Sequence, residues 1–254
     1  MSLKRTTFLK KLDRINPNTV VLSSWLVKQG ISGALQYRYR ESGWLKSIGV
    51  GAFVKAGLKE VGFTGALYAL QKQAGLKVHI GGLSALNLFG LVHYGRLKNN
   101  WQLFANRDVA LPKWFKNYKF SDKWELFKTN FLPDDLSLQE YKVEHDYQVT
   151  ISRPERAILE ALYLTPKNAG LSEIKEIFAM FRTLRPALLQ ELLENCKSIK
   201  VKRLFLYFAE NANASWLKFD LSKIDLGKGV RVIQKGGKYN AKYNIMIGDL
   251  DDNE

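Results

Sequence analysis

The sequence predicts an α+β fold in two parts, a small basic N-terminal domain over residues 1–60 and a larger mixed α/β domain over residues 61–254. Three observations predict it. Val20 to Lys55 sets two short helical patterns before a glycine-centred hairpin, residues 78–151 carry short strand-like runs, and residues 152–216 carry apolar stripes at helical spacing. A chain of 254 residues is long enough to bury a sizeable core and to form two or three domains.

Phe8, Leu12 and Ile15 recur at helical spacing, so residues 4–15 form a first helix, broken by Asn16-Pro17-Asn18. Thr19 to Leu22 is a short β-branched segment. Ser23 or Ser24 caps the helix SWLVKQ, with Trp25 and Leu26 facing inward. Gly30 supplies a left-handed turn position, and Ser32 caps a second helix, SGALQYRYRES. In that helix Leu35 and Tyr39 lie four apart and face the core with Ala34, which leaves Gln36, Tyr37 and Arg40 opposite and Arg38 flanking. Gly43 closes it. Leu45 to Ile48 and Ala52 to Val54 alternate around Gly49-Val50-Gly51 as a hairpin, with Trp44 as a core anchor. Helices, turn and hairpin in this order make a winged helix-turn-helix.

The second helix of such a module enters the major groove. Gln36 is suited to adenine edges, Arg38 and Arg40 to guanine, and the hydroxyls of Ser32 and Tyr37 to phosphates. Lys46 and Lys55 sit on the wing, within reach of phosphate or minor groove. A half-buried surface aromatic at Tyr37 and an Arg40–Glu41 charge pair are the plainer alternatives. Charge agrees with a polyanionic partner: residues 1–60 hold eleven Lys or Arg against three Asp or Glu, in a chain of formal net charge +15.

Beyond residue 60, Phe63, Leu67 and Leu70 mark one side of a helix, and Val78 to Ile80 is a strand. Gly81-Gly82 makes a tight turn before LSALNLFG, with Ser84 as a local cap; no Lys-Ser or Lys-Thr follows to make a phosphate loop. Trp101 to Phe104 is a strand. LPKWFKNYKF interleaves Lys113, Lys116 and Lys119 with aromatics and reads as an edge strand whose lysines discourage sheet association, with a nucleic-acid surface as the alternative. Strands at Trp124–Leu132, Leu138–Glu144 and Tyr147–Ile151 complete a mixed layer over 78–151.

Ser152 caps the helix RPERAILEALYL, with Glu155, three residues after the cap, as the capping carboxylate. LSEIKEIFAMF, RPALLQELLENC and a segment around Val201 to Ala209 continue the helical part, 152–216. Val230 to Ile233 and Tyr243 to Ile247 then form a basic terminal hairpin within 224–247. Its Lys228, Arg231, Lys235, Lys238 and Lys242 offer a secondary nucleic-acid surface, or else a solvated sheet edge.

Catalytic and metal chemistry find little support. Cys196 is the single cysteine and reads as a core thiol, which excludes an internal disulfide and a multi-thiolate zinc site. His79, His93 and His145 show no metal-binding spacing, and no acid pair or nucleophile–base pattern stands out. No catalytic residue, metal or cofactor is expected. No apolar run approaches the roughly 18–20 residues needed to cross a membrane, so a cytoplasmic location is expected.

The patterns WLVKQGI…YRYRESGWLKSIGVGAF, IGGLSALNLFGLVHYG, SRPERAILEAL, LFLYFAENANASW and IDLGKGVRVIQKGGKYNAKYNI span nearly the whole chain. In their order and spacing the chain resembles the AbiEi family, the antitoxin component of type IV abortive-infection toxin–antitoxin systems. The resemblance implies a winged-helix repressor that binds inverted repeats of double-stranded DNA in its own promoter. It also implies a C-terminal domain that counters a nucleotidyltransferase-like toxin without a stable complex. The Gln36–Arg40 segment and the basic wing match the family's DNA-contacting region in position. A ligand- or partner-responsive winged-helix transcription factor with no toxin partner is one alternative, and a nucleic-acid-processing enzyme is another.

Overall fold

The computed structural model describes residues 16, 18–58, 60–92, 100–143, 147–182, 184–212 and 218–248. The expected first helix at 4–15, together with His93 and His145, lies outside the described residues. In chain order the elements begin β1 (Val21–Leu22), α1 (Ser23–Lys28), α2 (Gly33–Glu41), β2 (Leu45–Gly49) and β3 (Ala52–Lys55). Then come α3 (Phe63–Tyr68), which continues into a wider turn at Ala69–Gln73, β4 (Val78–Ile80), α4 (Gly82–Leu88), β5 (Asn100–Ala105) and α5 (Lys113–Asn117). Next are β6 (Lys123–Lys128), β7 (Leu138–Lys142), β8 (Gln148–Ser152), α6 (Pro154–Leu164), α7 (Leu171–Met180), α8 (Pro186–Asn195) and α9 (Ile199–Asn211). Three short strands follow: β9 (Arg231–Val232), β10 (Lys238–Asn240) and β11 (Ile245–Ile247). The sheets run β1-β3-β2, β6-β5-β4-β8-β7 and β10-β11-β9.

Two compact units divide the chain. The first gathers residues up to His79 with 108–123 and 140–150; the second gathers 80–107, 124–139 and 151 onward.

In the first unit, α1, α2 and the antiparallel β1-β3-β2 sheet form a winged helix-turn-helix. Its core is Val21, Leu26, Ile31, Leu45 and Phe53, with Trp25, Leu35, Tyr39 and Trp44 packed against it. Burial of each such apolar side chain stabilises by roughly 1.5–3 kcal/mol. Gly30 and Gly43 close α1 and α2 at φ of 80° and 70°, where a side chain would be strained. Ser32 caps α2, its Oγ accepting from Leu35 N at 3.3 Å. The cap expected of Ser23 or Ser24 does not form: Leu22 holds the cap position and Ser23 lies inside α1.

The hydrogen bonding of β1 is completed by a side chain. Gln73 Oε1 accepts from Leu22 N at 2.8 Å and Nε2 donates to Val20 O at 2.7 Å, so a carboxamide stands where a further strand would. The compact unit therefore continues past residue 60, where sequence patterning ends the N-terminal domain. Gln71 works likewise, accepting from Thr150 N and donating to the Val78 and Thr150 carbonyls.

LPKWFKNYKF is not the edge strand that its composition suggests. Residues 113–117 form the short helix α5, because Trp114 and Phe115 are both buried, and adjacent residues share one side of a helix far better than of a strand. Phe115 packs against Phe63 at 5.9 Å and Phe120 at 5.1 Å between ring centroids.

The second unit contains α6–α9, and Phe178 of α7 packs against Phe205 and Phe208 of α9. Three local expectations change here. Ser84 sits within α4, where its Oγ accepts from Gln102 N and donates to Asn100 O. Arg153 rather than Ser152 precedes α6, with Pro154 in its first turn. The terminal pair 230–233 and 243–247 is not a hairpin: β9 and β11 pair in parallel, and β10 is the antiparallel partner of β11.

Candidate nucleic-acid interface

Helix α2 presents an exposed face that carries Ser32, Gly33, Ala34, Tyr37, Arg38 and Arg40. Leu35 and Tyr39 turn toward the core as their spacing predicts, and Tyr39 stacks on Trp44 at 6.0 Å. Ala34 does not complete that stripe; Gln36 does. At 2% exposure Gln36 cannot be the adenine reader expected of it. Its Oε1 accepts from Ser23 Oγ at 2.7 Å, and its Nε2 donates to Ile31 O at 2.9 Å and Ser23 O at 3.3 Å. The amide thus joins α2 to α1 and to the turn between them. Gln36→Ala is expected to cost about 1–3 kcal/mol in thermal or denaturant unfolding, because it orphans buried polar groups. The same variant should retain DNA selectivity in the fraction that stays folded.

Tyr37 is 55% exposed, and the Arg40 guanidinium lies 5.5 Å from its ring centre and 5.6 Å from that of Phe53 on β3. These contacts hold Arg40 in one place before any ligand arrives, worth about 0.5–1 kcal/mol at an exposed site. Arg40 is thus not simply neutralised by Glu41. Arg38 is exposed beside it.

The wing follows directly. Lys46 is exposed on β2 opposite Val54, Lys55 is half-buried at the end of β3, and Val50 at the tip is 94% exposed. Gly51 turns the tip at φ 73°. Gly49 has a different requirement: a Cβ there would lie 2.7 Å from Trp114 Cβ and 3.2 Å from its Cα, so α5 packs directly on the wing strand.

In the second unit Lys228, Arg231, Lys235, Lys238 and Lys242 are all exposed around the β10-β11-β9 sheet. Lys242 is ion-paired with Glu210, and Glu210 also accepts from the Tyr243 hydroxyl at 2.8 Å. Hydrogen bonds from Lys242 and Tyr243 hold the Glu210 carboxyl below its usual range. Burial, with that same carboxylate, pushes the Tyr243 hydroxyl up. Beneath the sheet, Arg203 of α9 is 2% exposed and donates to four backbone carbonyls: Leu226, Gly227, Gly229 and Asn244. Asn244 takes a left-handed φ of 51° in the turn before β11.

The glycine and SRPER motifs serve architecture rather than chemistry. Glu160 on α6 is fully buried and accepts from Arg156 Nε at 2.7 Å, Ser152 Oγ at 2.7 Å and Gly82 N at 3.0 Å. A Cβ at Gly81 would collide with Glu160, and Gly82 has φ 54°, so the paired glycines let the backbone approach the carboxylate. Arg156 also donates to the Pro133 and Leu136 carbonyls. Glu155 is not a capping carboxylate. Burial would raise its pKa, but hydrogen bonds from Arg185 at 2.9 Å outweigh that and hold the carboxyl below its ordinary value. Cys196 is a buried core thiol, raised to about 11 by that burial, and so stays protonated near neutrality. Sequence reasoning missed Gln73, Glu160 and Arg203; the one available signal was the four-residue spacing from Arg156 to Glu160.

Among the described residues no cluster of His, Cys, Asp or Glu could hold a metal ion, and no helix is long and apolar enough to cross a membrane. The family model described as "Transcriptional regulator, AbiEi antitoxin N-terminal domain" matches residues 5–97. The model described as "Transcriptional regulator, AbiEi antitoxin, Type IV TA system" matches residues 98–248. No curated protein matches the chain. Among solved structures, the RV2827C protein from Mycobacterium tuberculosis shares the fold at TM-score 0.58 and 13% identity, covering 96% of this chain and 91% of that one.

Proposed function

We propose, from the premise that this chain belongs to the AbiEi family of type IV antitoxin transcriptional regulators, that it represses its own promoter by placing α2 in the major groove of inverted repeats. The observation that carries this reading is the exposed α2 face: Tyr37, Arg38 and a pre-positioned Arg40, next to a wing that bears Lys46 and Lys55. Arg38 and Arg40 supply base or phosphate contacts, Ser32 and Tyr37 supply hydroxyls to the backbone, and the wing lysines supply salt-dependent affinity. Gln36 acts at one remove, by holding α2 against α1. A family of transcriptional regulators, not of enzymes, assigns the chain no catalytic residue.

The antitoxin role opposes a nucleotidyltransferase-like toxin in the cytoplasm, without a stable complex between the two. It draws on surfaces outside α2, and the basic residues Lys228, Arg231, Lys235, Lys238 and Lys242 are a secondary nucleic-acid surface available to it. A full-length Tyr37→Ala/Arg38→Ala/Arg40→Ala variant separates the two roles. Each good base contact contributes on the order of 1–3 kcal/mol of discrimination, so promoter repression should fall at least tenfold in a reporter strain. Rescue of cells expressing the cognate toxin should persist. Repression at the wild-type level would overturn the assignment of α2.

A further inference from the structure

We infer that α5, which arrives from residues 108–123 and packs on the wing, is a second DNA-contacting element whose lysines grip phosphates beside the groove that α2 reads. The inference rests on the DNA-binding reading of α2 and the wing, and extends it to a segment outside the winged helix itself. Gly49 ends β2 next to the exposed tip residue Val50, and only the absence of a side chain there lets the Trp114 backbone come so close. Lys113 directly precedes Trp114 and is exposed, which places its charge on the element that touches Gly49 beside the wing tip.

The helix has a definite inner side. Trp114 and Phe115 are buried, and Phe115 is locked between Phe63 and Phe120. Lys113 and Lys116 lie three apart and therefore share the outer side, with Lys119 exposed just beyond. None of these three lysines forms an ion pair among the described residues. Three exposed cations without an ion pair among the described residues, on an element anchored to the wing, match the charge of a phosphate backbone better than they match any structural task. They read no bases, so they raise affinity for every sequence alike.

The test uses the full chain with Lys113, Lys116 and Lys119 changed together to Gln, and a companion with all three changed to Arg. Salt titrations are run on the promoter fragment and on a shuffled duplex of equal length. The Gln variant should lose roughly tenfold in affinity for both duplexes, with a salt slope lower by about 0.9 for each phosphate contact removed. The Arg variant should keep the wild-type slope, which separates loss of charge from loss of fold. A Gln variant with the wild-type slope and affinity, in a protein that still prefers its promoter, overturns the role of α5 and leaves α2 standing. A wild type with no promoter preference but a slope that still falls in the Gln variant overturns promoter recognition and supports α5. Wild-type binding to neither duplex overturns both.

Discussion

Glu160→Ala is expected to lower stability by about 3–5 kcal/mol, the usual cost of leaving a buried charge without its partner. Glu160 has no exposed surface, and the Arg156 side chain is 6% exposed. Removing the carboxylate leaves the Arg156 guanidinium with carbonyl partners only, those of Pro133 and Leu136. It also leaves Ser152 Oγ and Gly82 N without the acceptor they share. One side chain therefore ties α6 to β8 and to the start of α4. Urea unfolding measures the loss directly. A change below 1 kcal/mol would mean that water or a rearranged Arg156 replaces the carboxylate, and the hub described for α6 would be wrong. A double change of Arg156 and Glu160 to apolar residues of similar volume should recover much of the loss, since the charges then vanish together.

Arg203→Met is expected to release the terminal sheet while sparing the helices. Methionine keeps the apolar stem packed but removes every donor to the Leu226, Gly227, Gly229 and Asn244 carbonyls. Hydrogen bonds from a charged donor contribute on the order of 1.5–3 kcal/mol each and are not additive, so a local loss of several kcal/mol follows. Burial weakens the guanidinium's hold on its proton, but the group stays charged at any ordinary pH. Hydrogen exchange across residues 224–247 should accelerate by two orders of magnitude or more, about 1.4 kcal/mol for each tenfold, while α6 keeps its protection. Unchanged exchange in 224–247 would show that β9–β11 hold themselves.

Local signals were the readable ones. Ser32, Gly30, Gly43 and the Leu35–Tyr39 pair act within a turn or two of the chain, and the structure places them as periodicity and capping predict. The hairpin and helices α6–α9 follow for the same reason. What escaped depends on partners distant in sequence. Gln36 has the look of a surface residue on α2 until α1 brings Ser23 against it. Gln73 completes a strand 51 residues away. The aromatic run at 111–120 suits a strand or a helix equally, and Phe63 decides between them. The parallel pairing of β9 with β11 brings together the segments that precede the two strands, where Arg203 binds the Gly229 and Asn244 carbonyls, and no local pattern announces that.

Hydroxyl-radical footprinting upstream of the protein's own gene tests whether the exposed α2 face reads promoter DNA. The wild type is compared at one salt concentration with the Tyr37→Ala/Arg38→Ala/Arg40→Ala variant. Two symmetry-related protected segments are expected, separated by whole helical turns, that the variant fails to protect at any concentration short of non-specific coating. The same two segments protected equally well by the variant would contradict that role of α2.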